Sequence, residues 1–183
     1  KVEQIRADVA KDLSGLDKKL TLELMRNAAI DCLIPRGGKG LIAFVKEHSR
    51  VPTIITGASV VHTYVDESAD SKSAAQIIVN AKTRRVSICN ALDVVLMHKN
   101  AATEVLRSLV RELAERHVEI RADKESYRML QAGRYPYLTH AKKIDFDTEF
   151  LDYVLAVKIV VDFEEAMQHI EAHSLGHSEA IIT

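Results

Sequence analysis

The chain has 183 residues, 47% of them hydrophobic, and its 25 Lys and Arg against 26 Asp and Glu give a formal net charge of −1. That length fits one domain, or one domain and a small part of another. The balanced charge argues against a nucleic-acid partner, which would require a basic surface. No apolar run approaches the roughly 18 residues that span a bilayer, so no membrane partner is expected.

Short apolar runs alternate with amphipathic segments along the chain. Runs rich in Val, Ile and Leu predict buried strands at 29–35, 51–56, 60–66, 91–99, 118–122, 154–161 and the closing AIIT. Apolar residues at helical spacing predict helices at 41–49, 71–82, 101–117, 123–131 and 162–173, the last opened by a D-x-x-E capping box. Residues 1–28 are predicted to be polar and helical, and 133–153 irregular. Continuous Val/Ile/Leu strands favour an α/β fold with a mostly parallel sheet flanked by helices.

The turn Pro35–Gly40, PRGGKG, follows a predicted strand and opens a predicted helix. Backbone N–H groups at such a position, together with the helix dipole, can hold a phosphate, and Arg36 and Lys39 would add positive charge. The turn matches neither G-x-G-x-x-G nor the Walker loop. Its glycines also suit a plain strand-to-helix turn, so both interpretations stay open.

The chain contains two cysteines, too few for a disulfide framework, which favours a reducing, cytoplasmic location. Cys32 lies inside an apolar run and is predicted to be core. Cys89 follows three cations, Lys82, Arg84 and Arg85, in the stretch NAKTRRVSICN. Cations lower the pKa of a nearby thiol, and the thiolate is the nucleophile. Basic residues also suit a helix end and free cysteines are commonly buried, so spacing alone leaves nucleophile and structural thiol as alternatives.

Two further groups of polar residues could hold a ligand. Histidines recur at i, i+4 and i+8, as His169, His173 and His177, but Gly176 is expected to end the helix before the third. No metal site is therefore predicted, and a solvated helix end is the simpler interpretation. The second group could bind a cation or a ribose, or could simply be solvated: Asp145, Asp147, Glu149 and Asp152. His62 is interpreted as a satisfied core or edge histidine in its strand.

Five stretches together resemble one family: IDCLIPRGGKGLIAF (30–44), HTYVDESAD (62–70), IIVNAKTRRVSICNALDVVLMHK (77–99), EFLDYVLAVKIV (149–160) and HSEAIIT (177–183). Their order and approximate spacing are similar to those of gamma-glutamyl phosphate reductase, also called glutamate-5-semialdehyde dehydrogenase. This family belongs to the aldehyde dehydrogenase superfamily, so the resemblance implies an aldehyde-dehydrogenase-like catalytic domain. The resemblance runs from near Leu22 to the end, and residues 1–21 show none.

The resemblance implies an enzyme that reduces gamma-glutamyl 5-phosphate to glutamate 5-semialdehyde and phosphate, with NADP(H), in proline biosynthesis. It places Cys89 on the family's catalytic cysteine, which attacks the acyl phosphate and forms a thioester. The implied partners are a small-molecule substrate and, in the full-length form, further copies in a homo-oligomer.

The resemblance also implies roles for other residues. Cofactor contacts are implied for Arg36, Gly37, Gly38 and Glu149, the last on the glutamate that holds the nicotinamide ribose in aldehyde dehydrogenases. Substrate contacts are implied for Asn90, Arg84, His62 and His177. The segment IITGASVVH lacks the carboxylate with which hydrolytic aldehyde dehydrogenases activate water. That absence suits a reductase, which must not hydrolyse its thioester.

Several features depart from the family. Arg84 and Val86 stand where the family usually has Gln and Pro, and side chains at 58–60 could crowd a nicotinamide ring. The family's chains are also much longer. By the resemblance, residues 1–57 would be the end of a dinucleotide-binding domain, with 1–21 helical and unassigned, and 58–183 the thiol-bearing catalytic domain. The chain looks truncated, and we expect little or no activity from it alone.

Two other functions remain as alternatives. A non-catalytic α/β module could bind an anion or a protein partner through the PRGGKG turn and the basic helix end, and could pair its closing strand with another strand. A cysteine hydrolase is the second, although the sequence places no His–Asp pair near Cys89. A fast Cys89 thiol would favour the reductase, and a slow thiol without nucleotide binding would favour the module.

Overall fold

The computed structural model describes residues 19–35, 39–55 and 59–183. The chain divides into two compact units, Lys1–Gly57 and Ala58–Thr183. Throughout the described residues, every helix is too short or too polar to cross a membrane.

The first unit contains helical residues 19–24 and helix α1, Lys39–His48. Leu33 and Thr53 form an isolated parallel bridge. The Leu33 N–H donates to the carbonyl of Pro52 at 2.8 Å. The described part of this unit is therefore two short stretches of paired backbone beside helical segments.

The buried strands predicted at 29–35 and 51–56 do not form beyond that bridge in the described residues, so both predictions are wrong. Cys32, predicted to be core, is exposed, and so are Ile34 and Ile54. An apolar β-branched run becomes a buried strand only where neighbours cover it on both sides. The described residues of this unit supply a single bridge, which leaves the runs uncovered.

One parallel sheet dominates the second unit. Its six strands within residues 59–183 are β1 His62–Val65, β2 Val94–His98, β3 Glu119–Ala122, β4 Leu138–His140, β5 Val154–Val160 and β6 Glu179–Ile182. The strand order is β4-β3-β5-β2-β1-β6, and every pair is parallel. The strands predicted at 60–66, 91–99, 118–122, 154–161 and the end of the chain are confirmed, and with them the α/β fold.

Helices follow four of these strands, and polar caps begin them. The helices are α2 Ser71–Thr83, α3 Lys99–Glu115, α4 Lys124–Ala132 and α5 Phe163–His173. Aspartates 70, 123 and 162 accept hydrogen bonds from backbone N–H groups three residues on, at the starts of α2, α4 and α5. Such caps satisfy orphan donors of the first helical turn. The cap predicted at Asp162 is confirmed.

The core lies on both faces of the sheet, as alternation along β2 makes clear. Val95 and Met97 belong to a large apolar cluster that includes the inner faces of α2, α3 and α4. Val94 and Leu96 belong to a smaller cluster on the opposite face, with Ala166 of α5. Successive side chains of a strand point to opposite faces, so β2 is buried on both sides.

The segment 133–153, predicted to be irregular, contains β4 and a short 3₁₀ helix, Lys143–Asp147. Strand β4 is an edge strand that pairs Leu138 with Ile120 of β3. Its three residues are half-buried or exposed, so it carries no continuous apolar run. The pattern of a buried strand could not identify it.

Candidate active site

Five of the residues proposed for catalysis and binding, all in the second unit, lie along one edge of the sheet. Cys89 and Asn90 precede β2, Glu149 precedes β5, His62 opens β1 and His177 precedes β6. These strands are adjacent in the order β5-β2-β1-β6 and are all parallel. Their amino-terminal ends therefore share an edge, opposite to the carboxyl edge at which open α/β sheets usually bind ligands.

Cys89 lies in the loop between α2 and β2. Helix α2 ends at Thr83, and the loop closes with a hydrogen bond of 3.0 Å from the Ala91 N–H to the Ile88 carbonyl. Cys89 and Asn90 are exposed. None of the described residues makes a hydrogen bond to the Cys89 thiol. Its exposure removes the alternative of a buried structural thiol.

Lys82, one of the three cations before Cys89, is fully buried rather than facing solvent. Its Nζ donates to the carbonyl of Leu92 at 2.9 Å. Burial lowers the pKa of Lys82 to about 8, and the negative charges of Asp93 and Asp152 oppose that shift. Arg84 remains exposed beside the loop.

The buried position of Lys82 had a signal in the sequence. It continues the inward face of α2, after Ala74, Ala75, Ile78 and Val79 at helical spacing. A lysine at such a position is normally assigned to solvent, because burying an ammonium is costly unless a partner compensates. The sequence analysis therefore missed its structural role.

Asp93 is a second buried charge that the sequence analysis missed. Its carboxylate accepts the Val61 N–H at 3.2 Å and the Phe150 N–H at 3.0 Å. Burial raises the pKa of Asp93, while these two hydrogen bonds and the Lys82 charge work against the rise. Asp93 thus joins the segments that lead into β1 and β5.

Glu149 is half-buried directly before Phe150. Within the described part of the chain, its carboxylate makes no hydrogen bond or ion pair. Two free carboxylate oxygens suit a pair of vicinal hydroxyls, such as those of a ribose. The residue is therefore compatible with a nucleotide at this edge.

His62 is fully buried beneath the edge. Its Nδ1 lies 2.9 Å from the Val60 carbonyl, which only accepts, so Nδ1 carries the proton and Nε2 is an acceptor. That Nε2 is buried, and no described residue makes a hydrogen bond to it. Burial lowers the pKa of His62 to about 4, so the ring is neutral at neutral pH. It can accept a hydrogen bond there but cannot supply a charge.

The histidines of α5 are not the solvated helix end that was expected. His169 is buried, and its ring lies edge-on to Phe146. Its Nε2 has no hydrogen-bond partner in the part of the chain that the structure describes. His173 places Nδ1 2.7 Å from Oδ1 of Asp147. Among the described residues, no group of three or more His, Cys, Asp or Glu side chains could hold a metal ion.

The helix ends at His173, and Gly176 follows in the left-handed region with φ 72°. His177 therefore lies beyond the helix, as predicted, and is exposed. Its Nδ1 lies 2.8 Å from the Ser178 hydroxyl.

The acidic residues of 145–152 do not form one cluster. Asp145 is buried and accepts from Arg121 at 2.7 Å, whereas Asp147 contacts His173. Asp152 accepts from the Tyr153 N–H. Of the four carboxylates, Glu149 is the one left open to a ligand. Arg36, Gly37 and Gly38, the other residues assigned to the cofactor, lie outside the described residues.

Comparison with known proteins identifies relatives for most of the chain. No family model matches it. It is 50% identical over 154 residues to a gamma-glutamyl phosphate reductase of Streptococcus suis, with 84% of this chain and 36% of that protein covered. The crystal structure of a gamma-glutamyl phosphate reductase from Thermotoga maritima is 41% identical, with a TM-score of 0.83 over 91% of this chain and 39% of that one.

A more distant solved structure extends the comparison. The acetylating aldehyde dehydrogenase of Geobacillus thermoglucosidasius is 25% identical, with a TM-score of 0.65 over 89% of this chain and 43% of that one. The chain spans little more than a third of the length of the curated relatives it matches. The resemblance to a portion of gamma-glutamyl phosphate reductases is confirmed, and so is the aldehyde-dehydrogenase-like fold.

Proposed function

We propose, from this resemblance, that the chain supplies the thiol-bearing part of a gamma-glutamyl phosphate reductase. The reaction is the reduction of gamma-glutamyl 5-phosphate to glutamate 5-semialdehyde and phosphate, a step of proline biosynthesis. The observation that carries the proposal is the exposed, unbonded thiol of Cys89 at the same sheet edge as the open carboxylate of Glu149.

Cys89 acts as the nucleophile. Its thiolate forms a bond to the acyl carbon while the bond from that carbon to the phosphate oxygen breaks, and phosphate leaves with the electron pair. The product is a thioester on Sγ. NADP(H), when bound, supplies the hydride that reduces the acyl carbon. Sγ then recovers its electron pair as the aldehyde departs, so Cys89 is regenerated.

The other residues would bind and orient. Glu149 would accept hydrogen bonds from the nicotinamide ribose, and Arg36, Gly37 and Gly38, which lie outside the described residues, are assigned to the cofactor by the resemblance. Asn90, Arg84, His62 and His177 are assigned to the substrate: Asn90 adjoins the thiol, and exposed Arg84 offers charge to an anion. His62, neutral and buried, contributes a hydrogen-bond acceptor at most.

The two compact units correspond in this proposal to two functional parts. Residues 1–57 are the end of the cofactor domain and 58–183 the catalytic domain. The full-length enzyme is a homo-oligomer, and a cytoplasmic location stays a prediction. Because the chain spans so little of its relatives, we expect it to turn over slowly or not at all by itself.

The test compares the two thiols of the chain. Both Cys32 and Cys89 are exposed, so Cys32 is an internal standard for accessibility. We would measure their alkylation by iodoacetamide from pH 5 to 10 by peptide mass spectrometry, with and without phosphate. We expect Cys89 to react faster near neutral pH and to be slowed by phosphate, with Cys32 unaffected. Equal rates that ignore phosphate would contradict the proposal.

A second arm addresses acyl transfer itself. Incubation with acetyl phosphate, a small acyl phosphate, should acetylate Cys89 in preference to Cys32, and hydroxylamine should remove the label. The variant Cys89→Ser is the matched control and should leave only the background at Cys32. This arm does not require a cofactor or turnover.

The alternatives have observations of their own. Strand β6 is an edge strand with Ile181 exposed, and Arg84 and Arg85 are exposed, which favours a module that binds a strand or an anion. Slow and equal alkylation of the two thiols, together with binding of an anion, would support the non-catalytic module. For a cysteine hydrolase, His173 and Asp147 do form a pair, but no hydrogen bond joins that pair to Cys89.

A further inference from the structure

The loop that carries Cys89 runs from the end of α2 to the start of β2. Hydrogen bonds from the last turn of α2 hold the end of this loop nearest β2. The Leu92 N–H donates to the carbonyl of Ala81 at 3.2 Å, and the Leu92 carbonyl accepts from Nζ of Lys82 at 2.9 Å. Two consecutive residues of the last turn of α2 thus bind both backbone polar groups of Leu92. Because Cys89 lies three residues before Leu92, this clasp restricts where the thiol can be.

The next residue along the chain extends the clasp to the Glu149 segment. The Asp93 carboxylate accepts from the Val61 N–H through Oδ2 and from the Phe150 N–H through Oδ1. The Asp93 N–H also donates to the Val61 carbonyl at 3.1 Å. Glu149 therefore adjoins a backbone group that Asp93 holds against the start of β2.

Lys82 reaches the same segment. Its Nζ lies 5.8 Å from the centroid of the Phe150 ring, close enough for attraction between the cation and the ring face. The guanidinium of Arg121 lies 5.2 Å from that centroid. The charges of Lys82 and Asp93 also attract each other. The loop before β2 and the segment before β5 therefore share one set of contacts around the buried side chains of Lys82 and Asp93.

This arrangement is not what stability alone would select. Lys82 is fully buried and Asp93 only 2% exposed. The attraction between two buried opposite charges offsets the cost of their desolvation only when their geometry is good. Replacing them with apolar residues of similar volume often leaves a protein as stable. Lys82 continues the apolar face of α2, where a methionine or leucine would pack. A buried charge at that position points to a requirement for a specific geometry.

We propose that Lys82 and Asp93 are positioning residues that hold the Cys89 loop and the Glu149 segment in one fixed relation. The catalytic meaning rests on the proposed function, since it is there that a nucleophile and a ribose ligand must be held together. Misplacement by about 1 Å is enough to slow such chemistry strongly. Neither residue touches the reacting atoms; each acts through the backbone of Leu92 or Phe150.

The test uses substitutions that keep side-chain size. Lys82→Met keeps the stem and removes the ammonium, and Asp93→Asn keeps the shape and removes the charge and one acceptor. The matched controls are Lys72→Met, at an exposed lysine of the same helix, and Glu104→Gln, on exposed α3 surface. Amide hydrogen exchange would be followed by mass spectrometry for peptides covering 84–92 and 148–153, with peptides of α4 as the reference.

The distinguishing result is a cross effect. Lys82→Met should speed amide exchange in 148–153, and Asp93→Asn should speed it in 84–92. We expect each rate to rise by about fivefold or more, because each substitution leaves a buried polar group without its partner. In the double variant, the exchange rate should rise by less than the product of the two single increases, because the two residues interact with each other. The α4 peptides and both control variants should remain unchanged.

A spectroscopic reading separates positioning from a general loss of stability. The Phe150 amide proton, bonded to a carboxylate, should move in ¹H–¹⁵N spectra of Asp93→Asn and also of Lys82→Met. It should not move in Lys72→Met. Equal acceleration of all peptides would overturn the proposal, and so would a Lys82→Met variant with unchanged exchange in 148–153 or an Asp93→Asn variant with unchanged exchange in 84–92.

These readings do not involve turnover or the Cys89 thiol. If the exchange couples as expected but Cys89 fails the acetyl phosphate test, the positioning pair stands and the reductase proposal falls. If Cys89 is acetylated but the two segments exchange independently, the reductase proposal stands and the positioning role falls.

Discussion

The two edges of the parallel sheet use their polar residues in different ways. At the carboxyl edge, the strands lead into helices whose first turns are capped: Asp70, Asp123 and Asp162 each accept from a backbone N–H. Tyr64 donates to Asp66, and Asn100 donates to Glu67. These groups are occupied by local structure, so this edge has little left to offer a ligand.

At the amino-terminal edge, some polar groups are accessible to a ligand, and others are buried, where the loss of hydration disfavours their charged forms. Within the described residues, Cys89 and Glu149 make no hydrogen bonds through their side chains, and the Nε2 of His62 is buried without a partner. Beneath them lie the charges of Lys82 and Asp93. Polar groups without protein partners are where a ligand could bind, so the contrast between the edges is consistent with the site proposed above.

The largest expected effect is at Asp93. Asp93→Ala would leave the Val61 and Phe150 N–H groups without their acceptor and would remove one of the two carboxylates, with Asp152, that favour the Lys82 charge. We expect the free energy of unfolding to fall by about 3–5 kcal/mol, because two backbone N–H groups lose their acceptor at about 1–3 kcal/mol each and the burial of Lys82 is less well compensated. Urea denaturation monitored by circular dichroism measures it. Asp66→Ala, at a half-buried carboxylate of the other edge that accepts from Tyr64 and Ser68, is the control and should cost less. Equal losses would remove the contrast between the edges.

Acid should destabilise the amino-terminal edge next. The folded pKa of His62 is about 4 and that of His169 about 3, both lowered chiefly by burial from the ordinary value of 6.5. The unfolded chain therefore takes up these protons first, and stability is lost as pH falls from 6.5 towards 4. For His62 the loss is on the order of 3 kcal/mol.

Urea denaturation at pH 7, 5.5 and 4.5 would measure that loss. His169→Leu should flatten the dependence because it removes one of the two groups. His177→Gln, at an exposed histidine, should leave the curve unchanged. A wild-type curve that stays level down to pH 4.5 would contradict the burial of both rings.

The caps of the carboxyl edge should have moderate effects. Asp162→Ala removes the acceptor for the Glu165 N–H at the start of α5. We expect a loss of about 1 kcal/mol, the usual cost of an N-cap. Asp162→Asn, which keeps an acceptor, is the matched control and should recover most of the loss in thermal denaturation. If Asp162→Ala lowered the free energy of unfolding by more than Asp93→Ala does, the carboxyl edge would contribute more to stability than the amino-terminal edge, contrary to expectation.

The smallest effect on stability is expected at the open residues of the site. Glu149→Gln and Cys89→Ala remove groups that make no hydrogen bond to a described residue, so each should change the free energy of unfolding by about 0.5 kcal/mol or less. The same substitutions should abolish ribose binding and acyl transfer, respectively, if the proposed function holds. A large loss of stability from either would show that the residue is structural.

Local pattern predicted the elements of the second unit well. The strands β1, β2, β3, β5 and β6, the cap at Asp162 and the helix end before Gly176 all follow from residues close together in sequence. It failed where burial depends on distant partners. Cys32 lies in an apolar run yet is exposed, and β4 has no apolar run yet pairs with β3.

The sequence by itself determined the alternation of strands and helices, the caps, and the motifs around Cys89 that resemble gamma-glutamyl phosphate reductases. Each of these features depends on residues only a few positions apart, and the periodicities of helices and strands relate such spacings to structure. Only the tertiary structure decided that Lys82 and Asp93 are buried and that Cys89, Glu149 and His62 share an edge. Parallel pairing brings together residues dozens of positions apart, and the burial of a charge depends on the partners that this pairing supplies.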